Sequence, residues 1–305
     1  MLSLREDKII DLIVKMGSLE RDDASWFSIG KSKIVVNVDA FDSKVHWLNT
    51  LTYKEIGKRS VIAAFSDVLV KGARPVGGLV SLRAPKFLDE RSVEEIFEGI
   101  IEGLRIFNAE LLGGDTDIVA DNVLRLTLVG IGISEDGQII RRKGASVGEY
   151  LLMTGSVGRS SILYDIHEGN ARICKTGNID SSTNVPPVDK WLSVKGVITS
   201  SIDNSDGLAL SLYYLAESSN VGIFLEKIPI FSGLLECLSF EDALEKALYS
   251  SGEEYNFIFT VPKEYVHMVL STVENASVIG KIVEDRGVYL RNYGRIRREG
   301  WIGGD

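Results

Sequence analysis

Apolar residues recur at helical spacing at Ile9, Leu12, Ile13 and Met16, and again at Val93, Ile96, Phe97, Ile100, Ile101 and Leu104. Each set covers one face of a 3.6-residue period and predicts an amphipathic helix. The first lies over 8–16; the second opens at Ser92, which stands at capping-box spacing from Glu95. A longer apolar run over 53–72, with Thr52 as N-cap, predicts a third helix. It encloses the polar pair Ser66-Asp67 in "VIAAFSDVLV". Leu124, Leu126 and Leu128 alternate, which predicts a half-buried strand over 123–133. Strands are also predicted in "KIVVNVDAFD", ending at Asp39, over 76–82, and at Glu110–Leu112. The last of these runs into "GGDTDI", whose Gly and Asp residues read as a loop. Asp136-Gly137 signals a hairpin turn.

"RRKGASVGE" at 141–149 reads as a surface linker and divides the chain into 1–140 and 141–305. Beyond it, "YLLMTG" restarts a strand, and a helix follows Ser156. "GVITSSID" predicts a strand running into a helix in "NSDGLALSLYYLAE". Strands at 221–226, 255–261 and 277–283 then alternate with helices at 240–250 and 263–274. Hairpin signals and crossovers are mixed, so the expected class is α+β.

Composition narrows the function. The 305 residues carry a formal net charge of -9, which argues against a large nucleic-acid footprint. It leaves room for a polyanion held through divalent cations. Cys174 and Cys237 have neither zinc-ligand spacing nor the density of a disulfide framework. Charges interrupt "MLSLREDKII", and no apolar run approaches a membrane span, so a cytoplasmic location is expected. No GxxxxGK[ST] loop occurs, and none of His46, His167 and His267 sits in a hydrolase or zinc-peptidase context.

The aspartates are more telling. Asp22 and Asp23 precede a strand, Asp39 ends one, Asp67 lies in an apolar helix, Asp115 follows two glycines, and Asp203 and Asp206 bracket a strand-to-helix turn. Each alone has an ordinary explanation: a helix cap for Asp203 or Ser205, a solvated loop for Asp22 and Asp23, an ion pair with Arg59 or Lys71 for Asp67. If they converge, they repel: two charges 4 Å apart cost roughly 4 kcal/mol at an effective dielectric of 20. Hard oxygen donors without His or Cys select Mg²⁺ or Ca²⁺, and Mg²⁺ commonly joins carboxylates to substrate phosphates.

"RDDAS", "VNVDAFDSKVHW", "FSDVLVKGARP", "LLGGDTD", "RRKGASVGE", "SIDNSDGL" and "SGEEYNFIFTVP" occur in this order. Together they resemble the thiamine monophosphate kinase family, within the superfamily of aminoimidazole ribonucleotide synthetase. The resemblance runs from about residue 20 to Trp301. It implies a two-domain synthetase-like α+β fold, with an N-terminal α/β domain forming a β-barrel at a dimer interface and a C-terminal α+β domain. It implies ATP-dependent phosphorylation of thiamine phosphate by a homodimer, with several Mg²⁺ ions and neither nucleic acid nor membrane as partner. By motif match, Asp23, Asp39, Asp67, Asp115, Asp203 and Asp206 would ligate metal. Gly114, Asp115, Arg142 and Ser205 would contact ATP, and His46, Glu253 and Trp301 the thiamine part. Asp115, Arg142 and Asp206 would be catalytic.

The chain departs from the family at several positions. Asn37-Val38 stands where hydroxyl residues are usual, and Val38 has no side-chain oxygen to give a metal. Glu149 and Glu254 replace common aspartates, and Ile302-Gly303-Gly304 follows the terminal aromatic in place of Asp-His-Phe. Two other readings remain open: a related ATP-dependent synthetase acting on a ribonucleotide amide, and a non-catalytic divalent-cation-binding module.

Overall fold

The computed structural model describes residues 6–48, 50–169 and 184–301. A first helix, α1 (Glu6–Gly17), precedes two antiparallel strands, β1 (Ser25–Ile29) and β2 (Ser32–Asp42). Helix α2 (Tyr53–Val70), β3 (Arg74–Pro85), α3 (Glu90–Ile106), β4 (Glu110–Val119) and β5 (Arg125–Ser134) complete the first unit. Its strands form one sheet in the order β1-β2-β5-β3-β4. Only β3 and β4 run parallel, joined by the α3 crossover. Side chains of β5 alternate between buried and half-buried, as its sequence predicts, with Leu126 and Leu128 inward.

Thr52 is the N-cap of α2, and its capping box with Glu55 is complete in both directions. Helices α2 and α3 approach closely because glycines face the contact. A Cβ on Gly57 would stand 2.0 Å from the Ile96 carbonyl oxygen, and one on Gly99 1.9 Å from that of Lys54.

The second unit holds a seven-stranded sheet of β6 (Tyr150–Thr154), β7 (Ser200–Asp203), β8 (Gly222–Leu225), β9 (Phe257–Val261), β10 (Ala276–Val283), β11 (Gly287–Leu290) and β12 (Gly294–Arg295). The order is β12-β11-β8-β10-β6-β9-β7. Helices α4 (Arg159–His167), α5 (Val188–Val194), α6 (Leu208–Ser219), α7 (Ser232–Leu235), α8 (Phe240–Tyr249) and α9 (Val266–Thr272) surround it. Leu208, Leu212, Ala247 and Leu248 from α6 and α8 pack with Ile202, Ile258 and Met153 of the sheet. Trp191 of α5 meets Phe257 and Phe259 edge-on, with ring centroids 4.8 and 5.0 Å away. That second cluster is continuous with Phe65, Leu69 and Leu126 of the first unit. Helix α2 therefore lies at the seam, where the Ser201 hydroxyl donates to the Val70 carbonyl at 2.8 Å.

Several expectations are corrected. The N-terminal sheet is not a barrel: β1 and β4 occupy opposite edges, each bonded on one side only among the described residues. Closure would need those two edges to pair, and they do not. The "GGDTDI" segment is strand, not loop, because β4 continues beside β3 from Glu110 to Val119 across a register shift. Gly114 is required there, since a Cβ would fall 1.8 Å from the Val80 carbonyl oxygen. Asp39 lies within β2 rather than at its end. Asp89, not Ser92, caps α3, accepting from the Ser92 N–H at 2.9 Å. The Asp136-Gly137 turn leads into the linker, not into a hairpin strand. The hydrophobic pattern does not predict helices α5 and α7 or strands β1, β11 and β12, and most of the polar stretch 175–187 lies outside the described residues.

Replacing Thr52 by Ala removes one arm of the capping box. It is expected to lower the unfolding free energy by about 1 kcal/mol, read as a lower urea midpoint at unchanged slope.

Candidate active site

Three carboxylates meet at the seam. Asp67 comes from α2, Asp203 from the last position of β7, and Asp23 from the turn before β1. One oxygen from each lies within 4.8 Å of the others. Asp67 has no ion pair with Arg59 or Lys71; it accepts from the Asn37 amide at 2.6 Å. Asp203 accepts from the Ser66 hydroxyl at 2.7 Å. Neither Asp203 nor Ser205 caps α6, whose N-cap is Gly207 with no side-chain cap bond. The ordinary explanations for Asp67 and Asp203 are therefore not the ones the fold uses.

Asp23 is held differently. Arg142 Nε donates to its Oδ1 at 2.7 Å, Arg142 Nη2 reaches the same oxygen, and Lys71 Nζ faces Oδ2. Lys71 also donates to Asp22 Oδ1 at 2.7 Å. Desolvation alone would raise the Asp23 carboxyl, but Arg142 and Lys71 outweigh it and hold the pKa below its ordinary value. Asp67 and Asp203 lack such partners. Desolvation, then repulsion from Asp203, Asp23 and Asp39, pushes Asp67 well up. Desolvation and Asp23 push Asp203 up to about 7. Asp206 is raised to about 6, by desolvation first and then by Glu6, with Asp23 and Asp39 adding to it. Asp39 is raised by desolvation and by Glu253.

Six of the other expected residues divide between two cavities. Asp39, His46 and Glu253 line one with Arg59, Ser60 and Tyr255. His46 Nδ1 accepts from the Asp42 N–H at 2.9 Å. Glu253 is fixed by Arg59 at 2.8 Å and by the Tyr164 hydroxyl at 3.2 Å. Asp206, Arg142 and Trp301 line the second with Tyr214. The Trp301 N–H donates to the Asp206 carbonyl at 2.8 Å. Ser205 joins the two sides, its carbonyl accepting from the Glu253 N–H at 2.7 Å. Gly114 and Asp115 stand on the edge strand β4, with Asp115 exposed opposite Ser81. They lie outside the three-carboxylate group.

Four residues outside the expected site set also shape it: Asn37, Lys71 and Arg59, which the sequence brings up in other roles, and Tyr164, which it does not bring up. Arg59 and Asp67 are eight residues apart on α2 and so share a helical face, a signal the sequence did contain. The chemistry of the donor set suits a hard divalent cation. Three oxygens converge, two of them on carboxyls raised in pKa by desolvation and then by their like-charged neighbours, and no His or Cys takes part.

Carboxyls with raised native pKa bind more protons folded than unfolded, so they make stability fall as pH rises. For Asp203 and Asp206 the window runs from the ordinary 3.8 to about 7. Without divalent ions the melting temperature is expected to drop across that window. Added Mg²⁺ is expected to restore it increasingly toward pH 7. Thermal denaturation with and without Mg²⁺ checks this; a Mg²⁺ effect equal at both ends of the window contradicts it.

The family described as "AIR synthase related protein, N-terminal domain" matches residues 21–134. The chain is 30% identical over 295 residues to the thiamine-monophosphate kinase of Leptospira interrogans, covering 93% of this chain and 91% of that one. It is 28% identical over 296 residues to the enzyme of the same name from Pyrococcus abyssi, covering 95% and 92%. Its fold matches a solved structure of AaThiL complexed with AMPPCP and TMP at a TM-score of 0.84 and 23% identity, covering 98% and 97%. By sequence likeness along nearly its whole length, the chain belongs to the thiamine-monophosphate kinase family.

Proposed function

We propose that this chain transfers the γ-phosphoryl group of ATP to the terminal phosphate of thiamine phosphate, giving thiamine diphosphate and ADP. The observation that carries the reading is the convergence of Asp23, Asp67 and Asp203 beside Arg142 in a chain of this family. A phosphate monoester is mostly ionised at pH 7, so the acceptor oxygen needs no general base. That agrees with a site rich in aspartate whose one histidine accepts a backbone N–H. The reaction instead needs charge neutralisation and in-line positioning of two polyanions.

Asp67, Asp203 and Asp23, with Asp39, Asp206 and Asp115, would hold Mg²⁺, which when bound neutralises phosphate oxygens and so lets the anions approach. Arg142 reaches the cavity that Asp206 and Trp301 line, where its guanidinium meets phosphate. Gly114, Asp115 and Ser205 belong to the nucleotide side in this reading. Glu253, His46 and Trp301 belong to the thiamine side. Glu253, held by Arg59 and Tyr164, presents an acceptor to a ring amine.

The same reading takes 1–140 and 141–305 as two domains, the first carrying nucleotide and metal contacts and the dimer contact. The sheet face away from α2 exposes Val38 and Leu79, both in register with Val129, and so supports a homodimer. Among the described residues no helix is long and apolar enough to cross a membrane; a cytoplasmic location is part of the proposal.

Purified protein with ATP, Mg²⁺ and thiamine phosphate is expected to yield thiamine diphosphate. No product across varied pH and temperature would sink the assignment. Asp67→Asn is expected to lower kcat by roughly 100-fold or more while the fold persists. Asp115→Asn is expected to abolish turnover, and Asp117→Asn to leave it unchanged. Full turnover by Asp115→Asn would remove Asp115 from the metal site.

A further inference from the structure

Lys71 is the only lysine in the interior among the described residues. It follows the last residue of α2, and its side chain has no exposure. Its ammonium group donates to Asp22 Oδ1 at 2.7 Å and to the Ser201 carbonyl at 2.9 Å, and it faces Asp23 Oδ2. An ammonium has three N–H donors. Two of them go to the Asp22 and Ser201 oxygens, and Asp23 Oδ2 lies against the ammonium as an ion-pair partner, so protein oxygens enclose it and leave a substrate phosphate no approach. Lys71 also cannot swing away without opening the seam between the two units. Arg142 is different: it is 15% exposed and lines a cavity, so it can exchange Asp23 for another anion.

We propose that Lys71 is a built-in counter-ion of the carboxylate site, standing where a divalent cation would otherwise be drawn to Asp22 and Asp23. This rests on the reading that these carboxylates bind divalent cations. Four carboxylates, Asp22, Asp23, Asp67 and Asp203, face two protein cations, Lys71 and Arg142. Within this group of four, two negative charges remain at full ionisation, on the Asp67–Asp203 side, with Asp39 and Asp206 adding to the negative field there. That side matches one divalent ion before any nucleotide arrives. Lys71 thus confines the first ion to Asp67 and Asp203 and keeps Asp23 free of metal in the absence of substrate.

The test is calorimetric titration of Mg²⁺ into the full-length protein at pH 8, with neither nucleotide nor thiamine phosphate present. Lys71→Met leaves Asp22 and Asp23 with Arg142 alone. It is expected to bind Mg²⁺ at least about tenfold more tightly, or to take up a second equivalent. A folded Lys71→Met protein with the wild-type affinity and stoichiometry overturns the proposal. If that variant is not recovered folded, the Lys71→Met/Asp22→Asn double variant decides, because a charge and its counter-charge leave together. It is expected to bind Mg²⁺ as the wild type does; a departure of tenfold or more in either direction overturns the proposal. These titrations involve no turnover. Failure to make thiamine diphosphate would count against the kinase reading and not against Lys71. Wild-type protein that binds no Mg²⁺ would remove the metal reading on which both stand.

Discussion

Mutual repulsion among Asp23, Asp67 and Asp203 is the constraint around which the rest is arranged. The three oxygens lie within 4.8 Å of one another, so each ionised pair costs at least roughly 3 kcal/mol at an effective dielectric of 20. The fold holds this charge by fixing α2 firmly. Its N-terminus carries a complete capping box, its flank is locked to α3 by backbone approach at Gly57 and Gly99, and its C-terminal turn is bonded to β7. The partners are also chosen by type. Asp67 and Asp203 receive neutral donors, from Asn37 and Ser66, which orient a carboxylate without cancelling its charge. Asp22 and Asp23 receive cations. The cluster is therefore compensated on one side and open on the other.

A second strain serves the pocket beside it. Glu253 and Tyr255 both adopt left-handed backbone conformations, with φ of 57° and 54°. Such residues cost of order 1–3 kcal/mol each unless surroundings enforce them. Glu254 between them does the enforcing. Its buried carboxylate accepts from the Gly158 N–H at 3.0 Å, the Ser160 N–H at 2.8 Å and the Ser160 hydroxyl at 2.9 Å. Its carbonyl accepts from the Asn184 amide at 2.9 Å. The kinked segment then points Glu253 at Arg59 and Tyr164. The glutamate at 254, longer than the family's usual aspartate, is fully satisfied by the start of α4.

Periodicity made α3 and β5 legible, because each buries one face; α1 carries the same pattern yet leaves Ile9, Leu12, Ile13 and Met16 exposed, and α2 is buried around most of its surface. The convergence of Asp23, Asp67 and Asp203 was legible only as coincidence of motif, since three distant segments supply them. What failed was local chemistry overridden by tertiary pairing. "GGDTDI" has turn composition, yet parallel pairing with β3 extends it, and its second glycine answers to the Val80 carbonyl. The expected barrel failed for a topological reason, since edge pairing is not encoded in any one strand. The sequence offers Lys71 only as an ion-pair partner for Asp67, and the fold gives it to Asp22, Asp23 and Ser201 instead.

Val38 shows how strand alternation settles a departure that composition leaves open. With no side-chain oxygen, it could offer a metal nothing but its backbone carbonyl. In β2, successive side chains point to opposite faces. Asn37 turns toward α2 and donates to Asp67, whereas Val38 is 62% exposed on the other face, away from the carboxylates. A hydroxyl at position 38 would thus point away from Asp67, while the polar role falls to position 37. The Asn37 amide donates to Asp67 and extends to the Ala64 carbonyl at 3.5 Å, tying β2 to α2 one turn before the carboxylate. Val38 therefore takes no part in positioning Asp67, which falls to Asn37, and the carboxylate keeps its charge without a protein cation paired to it.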